Sequence, residues 1–399
     1  MSTIASGAPA LPLPRSGHAL DTARTGLVVL VFIDLLFMPR LLIAFGIPSA
    51  LLLVILEIAR ARLDGERLVA WLLMLGGVIA SVVYGTVSGL NPEPVESLKR
   101  ALQLMSMLLF AFPRIDPVAV RAPLVRCLRA FYIYVFLSAL LFYVSPDGYE
   151  AFIVRIYPEA ADAIQDNLAL FRFPYILQDP NSAGYLLALT LALYMWLEQG
   201  RRWKIVSSIL ALAALAATQS RGAYLAASIV YAPQLLRALR AREGLVALVL
   251  GIAAAGFLAH RYAEEVDLAT NIFEARLEME EDIGGGRADK YEYFLSRPNL
   301  LPIGTGYHLQ RDGQLFRPHS DFIRVDLAYG VVVLLVLLWF VAPRHRRQVR
   351  LFLVFLIPFL INTIIDDYRL FPLYLLVLGM LGRAVPNGGA RHPVGGNAR

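Results

Sequence analysis

One cysteine, Cys127, is all that the 399-residue chain contains, which excludes a disulfide framework and a cysteine zinc site within it. Charge is also scarce. Asp, Glu, Lys and Arg together make 17% of the residues, fewer than a soluble domain of this size carries. No Walker pattern occurs, and Ser220 has no evident partners for a triad, so nucleotide and serine-hydrolase chemistry have no signature. No His/Asp cluster has metal-ligand spacing. The adjacent Asp366 and Asp367 come nearest, and a pair alone is a weak metal candidate. The first 24 residues hold no apolar run and no cleavage site of their own. The first apolar run, from Thr25, therefore reads as an uncleaved anchor.

What is present is hydrophobic: 58% of residues, with a mean hydropathy of +0.59. Twelve apolar segments recur, at about 25–45, 47–59, 68–90, 98–113, 123–144, 181–199, 203–218, 221–236, 244–260, 319–342, 349–365 and 368–383. Alternating barrel strands are absent. The expected fold is an all-α polytopic integral membrane protein with about 12 transmembrane helices and a large periplasmic loop between helices nine and ten. The net charge of +6 is no nucleic-acid signal, because it is segregated by loop. Alternate loops carry Arg60, Arg62 and Arg67; Arg114, Arg121, Arg126 and Arg129; Arg201, Arg202 and Lys204; Arg237, Arg240 and Arg242; and Arg344, Arg346, Arg347 and Arg350. Excess Lys and Arg mark cytoplasmic loops, so both termini are expected in the cytoplasm.

This divides the chain into a cytoplasmic tail (1–24), helices one to nine (25–260), an outer loop (261–318), helices ten to twelve (319–383) and a disordered cytoplasmic tail (384–399). A smaller outer loop, 145–180, holds six acids and two bases, and 261–318 holds eleven and seven. The second loop reads as an amphipathic helix, a triglycine break at 284–286, a second helix at "ADKYEYFLS" and a turn at "PIGTG". Loops of that length are usually functional or disordered, and its apolar spacing predicts order.

Bases on the outer side run against the charge rule, which makes them informative. Arg221, in "TQSRGAYLA", falls in an outer connection of only about four residues. It reads either as an interfacial arginine whose stem snorkels or as a bidentate phosphate clamp. Arg287 follows three glycines that let a backbone approach a ligand closely; the alternative is a plain loop before a helix. Lys99 and Arg100 open the fourth segment, a hint of an anionic lipid ligand. His319 heads the tenth segment, as a structural cap or a functional imidazole. Asp326 lies about 10 Å further along at 1.5 Å per residue, beyond a direct hydrogen bond, and Arg324 points elsewhere. Ionisable groups at such depths are costly and usually functional.

Four stretches in this order carry a resemblance: "QDPNSAGYLL", "TQSRGAYLA", "GRADKYEYFLSRPNLLPIGTGYH" with Tyr307 near its end, and "HSDFIRVDLAYG". Together the chain resembles the bacterial O-antigen ligase and polymerase superfamily, most closely in its second half. The resemblance implies transfer of a glycan from undecaprenyl pyrophosphate to a sugar hydroxyl, on lipid A-core or on a second lipid-linked glycan. The reaction would run at the periplasmic face of the inner membrane, amid membrane lipids, with no cofactor, metal or ATP, and with inversion at the anomeric carbon. It implies that Arg221 and Arg287 grip the pyrophosphate and His319 acts as general base. Arg172, Lys99, Arg100, Arg324, Asp326 and Tyr307 are the further substrate-contact candidates. Relatives carry an arginine and a glycine before the "DPN" element; here Arg172 stands without the glycine. A ligase is the first expectation, an O-antigen or exopolysaccharide polymerase the second, and a lipid-glycan transporter or flippase a third that would need broken helices in symmetry-related halves.

Overall fold

The computed structural model describes residues 16–37, 53–55, 64–113, 115–156, 161–177, 179–240, 287–296, 300–306, 310–311, 314–315 and 318–382. The described chain is helical apart from a two-residue antiparallel ladder, β1 (Gln310–Arg311) with β2 (Gln314–Leu315). Its helices are α1 (Ser16–Phe37), α2 (Gly65–Val87), α3 (Pro94–Leu108), α4 (Pro117–Val144), α5 (Pro146–Ile156), α6 (Ala161–Ala169) and α7 (Pro180–Leu197). There follow α8 (Arg201–Thr218), α9 (Arg221–Arg240), α10 (Arg287–Leu295), α11 (Asp321–Val341), α12 (Arg346–Ile361) and α13 (Leu370–Leu381). Ten of the twelve apolar segments coincide with one of these helices. Of the segment 47–59 only 53–55 is described, and 244–260 lies outside the described residues, as does the amphipathic stretch before the triglycine. Within 145–180, expected as an outer loop, lie two short helices, α5 and α6.

Among the described residues three helices, α2, α4 and α11, are long and apolar enough to cross a membrane. Beyond Arg67, α2 has no charged residue on any face, a pattern that suits a large core or lipid. On α2 one stripe, Ala70, Met74, Val78 and Val82, is buried against its neighbours, while Val69, Leu72, Leu73, Ile79 and Val83 face outward. Where lipid surrounds such a bundle there is little apolar gain between helices, so close fit decides the contacts. A Cβ on Gly77 of α2 would meet Val333 of α11 at 2.5 Å, and one on Gly184 of α7 would meet Ala223 of α9 at 2.5 Å. The seams α2–α11 and α7–α9 are closed by these small residues.

Helix ends sort into two groups. At one end Arg67 donates to the Ala111 carbonyl (2.5 Å), Arg344 pairs with Asp64 (3.3 Å), Gln348 donates to Leu378 O (2.7 Å) and Arg121 donates to Leu197 O (2.8 Å). Glu198, in the turn between α7 and α8, accepts from Arg129 Nε (2.9 Å), Tyr194 (3.0 Å) and Gly200 N (2.7 Å). Burial works to raise its pKa, but the Gly200 amide and the Arg129 guanidinium outweigh that and hold it below the ordinary carboxylate value. Bases outnumber acids at this end. The other end, where α9 and α11 begin and α12 stops, carries His319 and Arg221.

α11 is not one continuous helix. Gly330 has φ +86° and ψ 164°, so the backbone unwinds in the middle of a candidate span. Unwound carbonyls within an apolar layer need partners. The segment 300–306 supplies them. Thr305 N donates to Leu327 O (3.1 Å), Gly306 N to Ala328 O (2.9 Å), and Val331 N donates back to Leu301 O (2.8 Å). Ser81 of α2 completes the splice, donating to Tyr329 O (3.0 Å) and accepting from Gly304 N (3.1 Å). The "PIGTG" turn is thus a strand-like insert against a broken helix rather than a free outer turn.

Candidate functional site

Each candidate sits at a helix opening for a local reason. Asp179 caps α7: its carboxylate accepts from Asn181 N (3.1 Å) and Ser182 N (3.0 Å), with Pro180 at the first helical position, where its missing N–H costs nothing. Arg172 donates to Asn181 Oδ1 (3.1 Å), so it is tied to that cap. The neighbouring Phe173 N donates to Ala217 O (2.9 Å), and Gln219 Nε2 to Phe171 O (2.9 Å). These bonds lay Arg172 beside the α8–α9 turn. Arg221, exposed, opens α9 from that same turn. Tyr224, one turn further on, feels the charge of Arg172.

The close approach continues across the bundle. A Cβ on Gly222 would meet the Tyr185 hydroxyl at 2.1 Å and Ile361 Cδ1 at 2.9 Å, so α9 starts directly against α7 and the end of α12. Just past that end, Asn362 O accepts from Asp321 N (3.0 Å). The α9 opening next to Arg221 and the α11 opening two residues after His319 thus both adjoin the α12 terminus.

His319 stands outside its helix. α11 opens at Asp321, with the Ser320 hydroxyl accepting from Ile323 N (3.4 Å), so the capping work falls to Ser320. The imidazole is half-buried. Tyr291 of α10 donates to the His319 carbonyl (3.4 Å), while Phe294 packs on Leu327. Arg287 is the first residue of α10, one turn or about 6 Å before Tyr291. The side chain of Arg287, and Tyr307 altogether, lie outside the described residues.

Two other candidates are internally committed. Arg324 is buried and bonds Asp321 and Asp366, while Asp321, fully buried, also accepts from Ile364 N (2.5 Å) and Ile365 N (2.8 Å). Gln103 links this group to α3, donating to Asp366 O (3.0 Å), and Arg100 bonds Gln103 (3.1 Å) and Glu96 (3.0 Å). Arg324 and Arg100 therefore fasten α3, α11 and the 362–369 turn to one another. Lys99, at 70% side-chain exposure, leans on Glu96 at 3.6 Å. The Asp366–Asp367 pair diverges: Asp366 takes Arg324, whereas Asp367 accepts from Arg369 N (2.8 Å) and Leu370 N (3.0 Å), just before and at the start of α13. Asp326 accepts from Leu300 N (3.0 Å) through one oxygen; its other oxygen is buried without a partner among the described residues.

Backbone strain gathers at the same end. Among the described residues, the non-glycine residues with left-handed φ are Phe171 (51°), Tyr175 (53°), Gln219 (52°) and Leu300 (58°). Two bracket Arg172, one precedes Arg221 by two residues, and one is the residue that Asp326 holds. Such conformations cost of order 1 kcal/mol or more each and cluster where function over-determines the backbone. Nothing in the sequence marks Phe171 or Tyr175 for this role. The bonds that join Asp321 to Asn362, Ile364 and Ile365 were equally illegible, since they span some 40 residues.

No protein-family model matches the chain, and no curated protein matches it.

Proposed function

We propose that the chain is a membrane glycosyltransferase of the O-antigen ligase type. It moves a glycan from undecaprenyl pyrophosphate to a sugar hydroxyl of lipid A-core, without metal, cofactor or ATP. What supports this reading is that the α9 opening, which begins with Arg221, and the α11 opening, which follows His319, both adjoin the end of α12, with Arg172 tied to the α7 cap beside the α8–α9 turn and Tyr291 of α10 bonded to the His319 carbonyl. In this reading the chain spans a bacterial inner membrane about twelve times. The basic end faces the cytoplasm, as the charge rule requires, and the His319 end faces the periplasm.

The chemistry follows from the residue types. The acceptor oxygen attacks the anomeric carbon from the side opposite the leaving group, and its proton passes to the His319 imidazole. An ordinary imidazole pKa near 6.5 suits a base at neutral pH. The bond from the anomeric carbon to the phosphate oxygen breaks, and its electron pair leaves with the pyrophosphate. Arg221 and Arg287 hold that anion by forked hydrogen bonds, which stabilise charge as it develops. The imidazolium then releases its proton to water.

One observation favours a second reading, a polymerase that uses a lipid-linked repeat as acceptor. Arg172, whose pattern in the sequence is incomplete, lies beside the Arg221 turn and is bracketed by strained residues. Deleting the gene separates the two. Polymer accumulating on its lipid carrier, unattached to lipid A-core, is the result expected of a lost ligase; lipopolysaccharide with single repeats means a lost polymerase. An unchanged surface polysaccharide contradicts both.

A further inference from the structure

We infer that Asn362 is a neutral hydrogen-bond donor to phosphate oxygens of the anionic headgroup, placed between Arg221 and His319. The inference rests on the glycosyl-transfer reading above. α12 stops at Ile361, and Asn362 is extended, with φ −147° and ψ −177°. Its own N–H donates to Pro358 O (2.8 Å), and its carbonyl accepts from Asp321 N (3.0 Å), two residues after His319. Its predecessor, Ile361, is what a Cβ on Gly222 would meet at 2.9 Å, and Gly222 follows Arg221. Asn362 thus stands between the openings of α9 and α11.

Its backbone is used and its carboxamide nitrogen is not. Asn362 is 7% exposed, and Nδ2 is buried with no acceptor among the described residues. Both oxygens of nearby Asp321 are already committed, one to Arg324 and one to the Ile364 and Ile365 amides. A buried donor without an acceptor is unfavourable and calls for an explanation. A pyrophosphate oxygen is the acceptor this end of the bundle exists to receive. A neutral amide there adds a directed bond without adding charge beside the arginines. Nδ2 is closed to solvent in this conformation, so arrival of the headgroup goes with an outward turn of the side chain.

The test uses the full chain in phosphatidylethanolamine–phosphatidylglycerol nanodiscs. Binding of undecaprenyl pyrophosphate in the bilayer, and of inorganic pyrophosphate in solution, is measured with the melting temperature. Wild type is compared with Asn362→Leu, Asn362→Asp and Arg221→Leu. Binding of the lipid probe alone identifies the carrier headgroup; equal binding of the inorganic probe identifies a phosphate site indifferent to lipid. In either case Asn362→Leu and Asn362→Asp weaken binding about tenfold or more, since a bond to a charged acceptor is lost. Asn362→Leu meanwhile melts at or above wild type, because the same-sized apolar side chain removes the unpaired donor. Wild-type affinity in both Asn362 variants, with binding lost in Arg221→Leu, overturns the role of Asn362 and leaves the enzyme reading standing. Weaker binding that tracks a fall in melting temperature in both Asn362 variants overturns it too, as a structural role. Wild type that binds neither probe sinks both.

Discussion

His319→Ala lowers glycan transfer by about 10²–10⁴-fold, the range that a positioned general base contributes. The protein remains inserted and folded, because the imidazole stands outside α11 and Ser320 keeps the cap. The loss falls on kcat and leaves donor KM nearly unchanged, since the proton moves only as the acceptor attacks. Arg221→Lys is the companion variant. It keeps the charge and loses the planar fork, and the expected loss is about 10²–10³-fold, comparable to removing one donor from an anion-stabilising site. Transfer assays on purified protein with a lipid-linked glycan read both. Turnover of either variant within a few-fold of wild type removes that residue from the chemistry.

The second large effect is structural. Gly330→Leu abolishes the folded state in mild detergent, seen as loss of a monodisperse peak in size-exclusion chromatography. A Cβ there would lie 2.5 Å from Pro302 O and 2.7 Å from Pro302 C, and φ is +86°. The backbone strain costs about 1–3 kcal/mol, and forced overpacking about 1–3 kcal/mol more. Neither neighbour is a flexible side-chain tip that could move aside. Gly76→Leu is the matched control, because nothing lies within 4 Å of its added Cβ. A monodisperse Gly330→Leu protein would mean that the 300–306 insert does not hold α11 in its broken form.

The helical class and most helix positions were legible, since an apolar run announces itself by length alone. The Asp179–Pro180–Asn181 helix start was equally readable, because its partners are its own next residues. The break at Gly330 was not. "LAYGVVV" reads as an uninterrupted span, and only the pairing with 301–306 reveals that its carbonyls are used elsewhere. Arg324 reads as an outer-side cation open to a ligand, yet Asp321 and Asp366 take it up, one of them 42 residues distant. Lys99 and Arg100 read as an anion site, yet Glu96 sits one turn before them. The sequence announces which groups carry charge; which of them are spent on holding the fold depends on contacts far along the chain.

In the proposed enzyme Arg221, Arg287 and His319 face one headgroup on one side of the membrane. Cysteines placed pairwise at these positions in a Cys127→Ser background test it directly, since Cys127 is the chain's one native thiol. A short bis-maleimide is then expected to join 221 to 319 and 287 to 319, detected as linked peptides by mass spectrometry. An impermeant maleimide added outside the inner membrane is expected to label all three sites. Labelling from opposite sides, or no linked pair in protein that is otherwise folded, would contradict it.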